Sequence, residues 1–354
     1  MIITINTDRK YDILLEEGLI NKIGVQLLKN HNNCKVCVIA DKNSEKFWGT
    51  NLRNSLEGLG FEIHSLVFPP GERTKSFKNL EHITNYLAKH RFTRYDLLIG
   101  LGGGVIGDLT GFAASVYMRG MDFYNVPTTL LSAVDSSVGG KTAINLTTGK
   151  NMVGTFWQPR GVFFDKNTLS TLPKDHMRNG LGEVIKAGVI MDDGIISLLE
   201  NHWPNKLPSI TEELISRSIN VKKEIVQLDE REKGPRQTLN LGHTVGHAVE
   251  NLSRYKIPHG QGVSIGLMTM AKISERMGWA EENMSYRLEH LYQRYGINVR
   301  CPFHAKVIAK EILADKKRRG NTITLAVPLK IGRCTLRNVP MTEIEDLLLK
   351  GMDY

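Results

Sequence analysis

Residues 96–120 read DLLIGLGGGVIGDLTGFAASVYMRG, and their reading decides the class of the fold. An apolar run over residues 97–101 predicts a strand, three consecutive glycines break it, and a small-residue helix follows. Gly102, Gly104 and Gly107 fit the spacing G-x-G-x-x-G. Glycines placed between a strand and a helix permit a tight turn and let backbone N–H groups approach a pyrophosphate at the helix N-terminus.

Upstream, the same alternation recurs. Residues 2–6 are strand-like, residues 35–40 form a short apolar run ending at Asp41, and residues 44–59 carry a helical pattern. A second run at residues 62–68 leads into PPGERTKS (residues 69–76), where Pro-Pro-Gly forces a loop and Ser76 is placed to cap the next helix. Strands alternating with helices predict an α/β domain with a mostly parallel sheet. The glycine turn comes after two earlier strand–helix units, later than a standard dinucleotide fold would carry it. Adenosine contacts would therefore come from other loops, with Asp41 and Glu72 the available acids.

Downstream, a strand from Asp122 leads to VPTTLLSAVDSSVGGKTAINLTTGKNMVG (residues 126–154), dense in hydroxyls, glycines and the lysines Lys141 and Lys150. This predicts a loop that holds phosphates. Gly140-Lys141-Thr142 resembles the end of a triphosphate-binding loop, but the first glycine of that motif would fall at Asp135, which excludes an ATPase reading.

Beyond Asp165 the pattern becomes nearly all helix, over residues 174–191, 211–229, 237–252, 262–277 and 281–295. The chain is thus expected to divide into an α/β domain, residues 1–170, and a mainly α-helical domain, residues 171–354. A late hairpin is expected at residues 322–327 and 334–337, and a helix from Thr342 closes the chain. In GLGEVIKAG (residues 180–188) Glu183 and Lys186 stand one turn apart among small and apolar neighbours, and an acid so placed needs a partner such as a metal or the lysine itself. Residues 236–262, RQTLNLGHTVGHAVENLSRYKIPHGQG, hold three histidines. A helix over residues 237–252 puts His243 and His247 on one face, with Asn240 and Arg236 on the turns before them. His259 follows a short loop carrying Pro258. Glu183, His243 and His259 together would make a three-ligand site with an open position, the arrangement of a catalytic zinc.

A chain of 354 residues is long enough for two cores. Its 46 lysines and arginines against 37 acidic residues give a net charge of +9, which suits nucleic acid or an anionic small substrate. The charge is scattered apart from Lys316-Lys317-Arg318-Arg319 and lacks aromatic interleaving, which favours the small substrate over nucleic acid. No apolar run approaches a membrane span and the first ten residues have no signal architecture, so the expected location is the cytoplasm. Cys34 and Cys37 are assigned to the strand-like KVCVIA, and one such pair without a second reads as buried thiols in place of a zinc site, while Cys301 and Cys334 are isolated.

Taken in order, PPGERTKS, GGGVIGDLTGFAASVYMRG, VPTTLLSAVDSSVGGKTAIN, GKNMVG, GLGEVIKAG, RQTLNLGHTVGHAVE, HGQG and DKK resemble the motifs of the 3-dehydroquinate synthases, in the sugar-phosphate cyclase superfamily. The resemblance covers Pro70 to about Lys317. One departure is Gln261-Gly262 after His259, where the family more often has an acid and a small residue. The resemblance implies conversion of 3-deoxy-D-arabino-heptulosonate 7-phosphate into 3-dehydroquinate and phosphate by transient NAD oxidation, phosphate elimination, re-reduction and intramolecular aldol closure. NAD and Zn2+ or Co2+ are the implied cofactors.

Matched position by position, Glu183, His243 and His259 resemble the metal ligands. His247 resembles the histidine that relays the hydroxyl proton, and so is not a ligand. Arg236, Asn240, Lys141, Asn151, Lys186, Lys222 and Asp135 match substrate-pocket positions, as does Lys316 or Lys317. Arg119 resembles the arginine that reaches into a neighbouring subunit's site, implying a homodimer. Glu72, Lys75, Gly103, Gly104, Val105, Gly107, Asp108, Thr128, Thr129, Lys141, Lys150 and Thr171 resemble dinucleotide contacts, with Asp41 suited to a ribose hydroxyl. Another sugar-phosphate cyclase is the nearest competing reading, but such relatives tend to alter the positions of Asn240 and His247, both intact here. A metal-dependent polyol dehydrogenase would have no need of the lysine-rich pocket. A non-catalytic dinucleotide-binding protein would have little reason to keep three metal-type ligands.

Overall fold

The computed structural model describes residues 1–316 and 321–352, with the backbone alone for residues 315 and 316. The chain forms two compact units, Met1–Pro173 and Lys174–Tyr354.

In the first unit, β1 (Ile2–Ile5), β2 (Tyr11–Leu15), β3 (Lys35–Asp41), β4 (Glu62–Phe68), β5 (Leu97–Gly102) and β6 (Asp122–Pro127) precede a hairpin of β7 (Lys141–Leu146) and β8 (Gly149–Phe156), and β9 (Gly161–Phe164) follows it. Seven of these strands form one sheet in the order β1-β2-β9-β6-β5-β3-β4. Its pairs are parallel except β1 with β2, so the expected mostly parallel sheet is the one found. Every residue of β5 is buried, which is why its sequence is a continuous apolar run without alternation.

The sheet order explains the late glycine turn. From β3 the chain moves outward to β4, then returns past β3 to lay down β5 and β6 on the other side. The order in which strands are added therefore switches sides between the parallel neighbours β3 and β5, and the crevice at such a switch is where open α/β sheets bind ligands. Asp41 ends β3 and Gly102 ends β5, so both stand at that switch. Ser76 caps the helix Phe77–Lys89, accepting from the Asn79 N–H, as its position suggests.

Two expectations for this unit need correction. The helix expected over residues 44–59 is present but runs over residues 42–56, with a wide π turn at Glu45–Gly49 between its α segments Lys42–Ser44 and Thr50–Leu56. The stretch expected to be a phosphate loop contains the β7–β8 hairpin, which pairs Lys141 with Phe156 and Thr142 with Thr155. Its second strand is mostly exposed and lacks apolar alternation, so periodicity does not reveal it.

The second unit is mainly helical, with a hairpin of β10 (Thr322–Lys330) and β11 (Arg333–Pro340). Its helices are Lys174–Ile190, Asp193–Glu200, Leu207–Leu228, His243–Leu252, His259–Arg276, Ser285–Arg294, Ala305–Lys316 and Ile344–Gly351. Asp193–Glu200 and Ala305–Lys316 were not expected from periodicity. The helix expected over residues 237–252 is not continuous. A 3-10 turn, Pro235–Asn240, is separated from the helix His243–Leu252 by Gly242, whose φ of 79° is left-handed. His259 opens its helix, with Pro258 as the N-cap, where the pattern had placed the start at Gly262.

All four cysteines are free, and of the pair expected to be buried in one strand only Cys37 is, since Cys34 precedes β3 and is half-buried. Burial pushes the Cys37 thiol up to about 12 and, with a contribution from Asp96, that of Cys34 to about 11, so both remain thiols. Among the described residues, no converging group of metal-ligating atoms includes a cysteine, and no helix is long and apolar enough to cross a membrane.

Candidate functional site

In the first unit the glycine turn leaves a helix N-terminus open. Gly103 is the N-cap of the helix Gly104–Val116 and offers no side chain, so the N–H groups of the first turn, Gly104 and Val105 among them, are uncapped. A Cβ on Gly104 would stand 2.7 Å from the Ser136 hydroxyl, which is shielded from solvent and has no hydrogen-bond partner among the described residues. Gly107 packs against Asn125 in the same way. Around this opening, Thr128 donates its N–H to the Gly102 carbonyl at 3.0 Å, and the Thr129 hydroxyl accepts from Ser132 N–H at 3.1 Å. The Asp41 carboxylate caps the turn after β3 and accepts from the Ser44 hydroxyl at 2.8 Å, and that hydroxyl meets Thr128 at 3.1 Å. An uncapped N-terminus beside small hydroxyls, with an acid at the end of the neighbouring strand, fits a dinucleotide's pyrophosphate and ribose. The Thr171 hydroxyl accepts from the Trp48 indole at 3.1 Å and donates to the Thr168 carbonyl at 3.2 Å, and the Thr168 hydroxyl lies 3.4 Å from the carbonyl of Pro127, the residue before Thr128.

Beside the turn lies a buried charge network. Lys75, 4% exposed, donates to Asp108 Oδ2 and to Asn151 Oδ1, each at 2.5 Å. Glu72 accepts from Asn145 at 2.8 Å and faces Lys150 at 3.8 Å, and Asn145 in turn accepts from the Asn151 N–H at 2.9 Å. Burial raises the Asp108 carboxyl above its ordinary range although Lys75 opposes the shift. Asn145, which sequence reasoning passed over, ties Glu72 to Asn151. Asn151 itself sits at a left-handed φ of 55°, and so do Met118 (51°) and Arg119 (64°) in the exposed turn after the glycine-rich helix. Asp135 lies in the π turn Ser132–Ser136, close enough to raise Asp108 further, and Lys141 opens β7.

In the second unit three helices meet backbone to backbone. A Cβ on Gly182 would stand 2.3 Å from the Gly260 carbonyl oxygen, and one on Gly266 would stand 1.9 Å from that of Gly242. Each of these contacts sits beside a functional side chain: Gly182 precedes Glu183, Gly242 precedes His243, and Gly260 follows His259. Close approach of the backbones thus brings the acid and the imidazoles together. Gly260→Ala would put its Cβ 1.8 Å from the Asn179 carbonyl oxygen. We expect that substitution to cost about 1–3 kcal/mol or more in urea unfolding, since backbone cannot yield as a side-chain tip can.

Glu183 is 2% exposed, and its Oε2 accepts from Lys186 Nζ at 2.5 Å. Its Oε1 lies 3.4 Å from His259 Nε2 and 3.6 Å from His243 Nε2 and has no well-formed hydrogen bond. Ligand atoms bound at 2.0–2.1 Å to one tetrahedral ion stand roughly 3.4 Å apart, so the two distances from Glu183 Oε1 suit a zinc-type ion, and the three residues offer ligand atoms that all lie within 4.8 Å of one another. Burial alone would raise the Glu183 carboxyl, but Lys186 and the two imidazoles hold it well below the usual carboxylate range. Burial and the Lys186 charge push His243 well below its ordinary value, leaving it neutral as a ligand must be. Burial works against His259 too, yet the carboxylates of Glu183 and Glu250, one facing each ring nitrogen, raise it.

His247 is exposed beside this cluster, its ring 5.3 Å from that of His243 and 5.8 Å from that of His259. His247, Glu250 and His259 form a second converging group, but there Glu250 already sits at hydrogen-bond distance, 2.8 Å, from His259 Nδ1. Asn240 donates to Glu232 Oε1 at 2.8 Å, and Arg236, 1% exposed, donates to the Glu230 carbonyl. Asp229 closes this loop by accepting from the N–H groups of Gly234 and Arg236. Lys222 is buried on the helix Leu207–Leu228. Lys316 ends its helix with a side chain outside the described residues, where Lys317 also lies. Glu232 and Glu250 were missed in the sequence. Glu250 had a usable signal, seven residues after His243 on the same helical face.

Two family models match in succession, 3-dehydroquinate synthase N-terminal over residues 65–179 and 3-dehydroquinate synthase C-terminal over residues 180–318. The chain belongs to the 3-dehydroquinate synthase family. It is 39% identical to the 3-dehydroquinate synthase of Clostridium acetobutylicum, over 94% of each chain. To that of Thermodesulfovibrio yellowstonii it is 41% identical, over 92% of each. Among solved structures, the 2-epi-5-epi-valiolone synthase of Streptomyces hygroscopicus subsp. jinggangensis, with NAD+ and Zn2+ bound, superposes with a TM-score of 0.88 at 24% identity, covering 99% of this chain and 98% of that one. At that identity the likeness is one of fold.

Proposed function

We propose that the chain converts 3-deoxy-D-arabino-heptulosonate 7-phosphate into 3-dehydroquinate and inorganic phosphate. This is a carbon–oxygen lyase reaction of the shikimate route to chorismate and the aromatic amino acids, and it uses NAD restored in each turnover and a divalent ion, zinc or cobalt. Membership of the family supports the reaction, and the observation that carries it to particular residues is the convergence of Glu183, His243 and His259. When bound, NAD supplies a hydride acceptor and the divalent ion a Lewis acid toward a substrate hydroxyl.

Glu183 Oε1, His243 Nε2 and His259 Nε2 would hold the ion, and Lys186 keeps the Glu183 carboxylate ionised from its far oxygen. His247, exposed next to them, takes the hydroxyl proton on its ring. Arg236, Lys186, Lys222, Lys141 and Lys316 offset the substrate's carboxylate and phosphate, with Asn240, Asn151 and Asp135 orienting its hydroxyls. Glu232 fixes the Asn240 amide for that task. The elimination base is the substrate's own phosphate. On the first unit, the Gly103–Gly107 turn, Thr128 and Thr129 would hold the pyrophosphate, and Asp41 a ribose hydroxyl. Glu72, Lys75, Asp108, Lys150 and Thr171 complete the dinucleotide contacts. Arg119, exposed on its left-handed turn, serves a neighbouring subunit in a cytoplasmic homodimer.

Purified protein supplied with NAD and zinc is expected to release phosphate from the heptulosonate phosphate without net NADH. Stoichiometric accumulation of NADH, followed at 340 nm in the same cuvette, would instead identify a polyol dehydrogenase.

A further inference from the structure

Glu250 is a buried acid whose place the proposed reaction does not explain. It is 1% exposed and lies on the helix His243–Leu252, two turns after His243. Its Oε1 is 2.8 Å from His259 Nδ1, while the opposite nitrogen of that ring, Nε2, faces Glu183 Oε1 at 3.4 Å. His259 is therefore held between two carboxylates, one at each nitrogen. His243 has a weaker version of the same arrangement, with its Nδ1 3.2 Å from the Leu241 carbonyl oxygen. The neighbouring helix makes room for the acid, because a Cβ on Gly262 would come within 3.3 Å of Glu250 Cγ.

We infer that Glu250 is the positioning residue of His259: it accepts the Nδ1–H, fixes the tautomer that leaves a lone pair on Nε2, and aims that lone pair at the point where Glu183 and His243 converge. The inference rests on the proposed metal site and assigns Glu250 a role in holding the ion without touching it. Removing an acid so placed lowers metal affinity about 10–100-fold. It also tells the two converging groups apart. If His247, Glu250 and His259 were the ligands, Glu250 would bind the ion directly, and its loss would match the loss of a ligand.

The test uses full-length wild type, Glu250→Gln, Glu250→Ala and His259→Ala, each stripped of metal and titrated with Co2+ against a chromophoric chelator. Visible absorption, metal release rates and thermal melts are recorded alongside. Expected for Glu250→Gln is a normal melt, Co2+ bands like those of wild type, affinity about 10–100-fold weaker and faster release. His259→Ala is expected to show no such bands. Wild-type affinity and release in Glu250→Gln overturn the positioning role, and loss of the bands in that variant overturns it in favour of direct ligation. Should Glu250→Ala fail to fold, the glutamine variant decides. Failure of wild type to bind Co2+ would overturn the metal reading beneath it, a result distinct from a bound wild type with an unaffected variant.

Discussion

His259→Ala is expected to retain its fold but no stoichiometric divalent ion, and to release phosphate no faster than background, whereas His247→Ala keeps the ion and loses rate. The physical difference lies in where each ring points and how it is held. His259 Nε2 stands 3.4 Å from the Glu183 oxygen and is fixed by Glu250 from behind. Its removal leaves two donors for an ion that needs three. His247 is exposed, and a group positioned for proton transfer contributes about 10²–10⁴-fold to rate without adding to ion affinity. Metal content after dialysis and the phosphate-release rate together read both outcomes. Equal loss of metal in the two variants would return His247 to the ligand set.

Lys75→Met is expected to be the most destabilising change in the first unit. It removes the cation that Asp108 and Asn151 share at 2.5 Å and leaves a carboxyl that burial already disfavours in its charged form. Breaking such a pair costs about 3–5 kcal/mol when the acid stays ionised. The cost should depend on pH in a definite direction. A carboxyl whose folded pKa lies above its unfolded value takes up a proton on folding, so its penalty is smallest below the unfolded pKa and grows as pH rises through the folded one. Urea unfolding of Lys75→Met should therefore show a smaller deficit against wild type at pH 5 than at pH 8. A deficit that is equal at both, or larger at the lower pH, would mean that Asp108 is not what the lysine compensates.

The glycine turn, the alternation of strands and helices and the shift to a helical C-terminal half were legible because each is a local pattern of φ-permissive and apolar residues. Less legible was the β7–β8 hairpin, whose second strand is largely exposed and carries no periodic signal. The helix containing His243 looked longer than it is, since residues 237–241 are compatible with helix. Only the packing of Gly242 against Val263 and Gly266 forces a left-handed residue there, and it moves Arg236 and Asn240 off the imidazole helix onto a separate turn.

By itself the sequence determined the α/β and helical elements, the family, and the residue types able to bind a dinucleotide, an ion and an anionic substrate, because these follow from composition and ordered motifs. Only the tertiary structure decided that the third strand–helix unit stands where the strand order switches sides, since that order is not written in any one segment. Likewise it decided that Glu183 faces His243 and His259 across backbones in contact, and that an unremarked acid, Glu250, holds one of those rings. Such pairings join residues up to 76 positions apart, as His259 is from Glu183, and only the meeting of glycine surfaces on different helices brings them within reach.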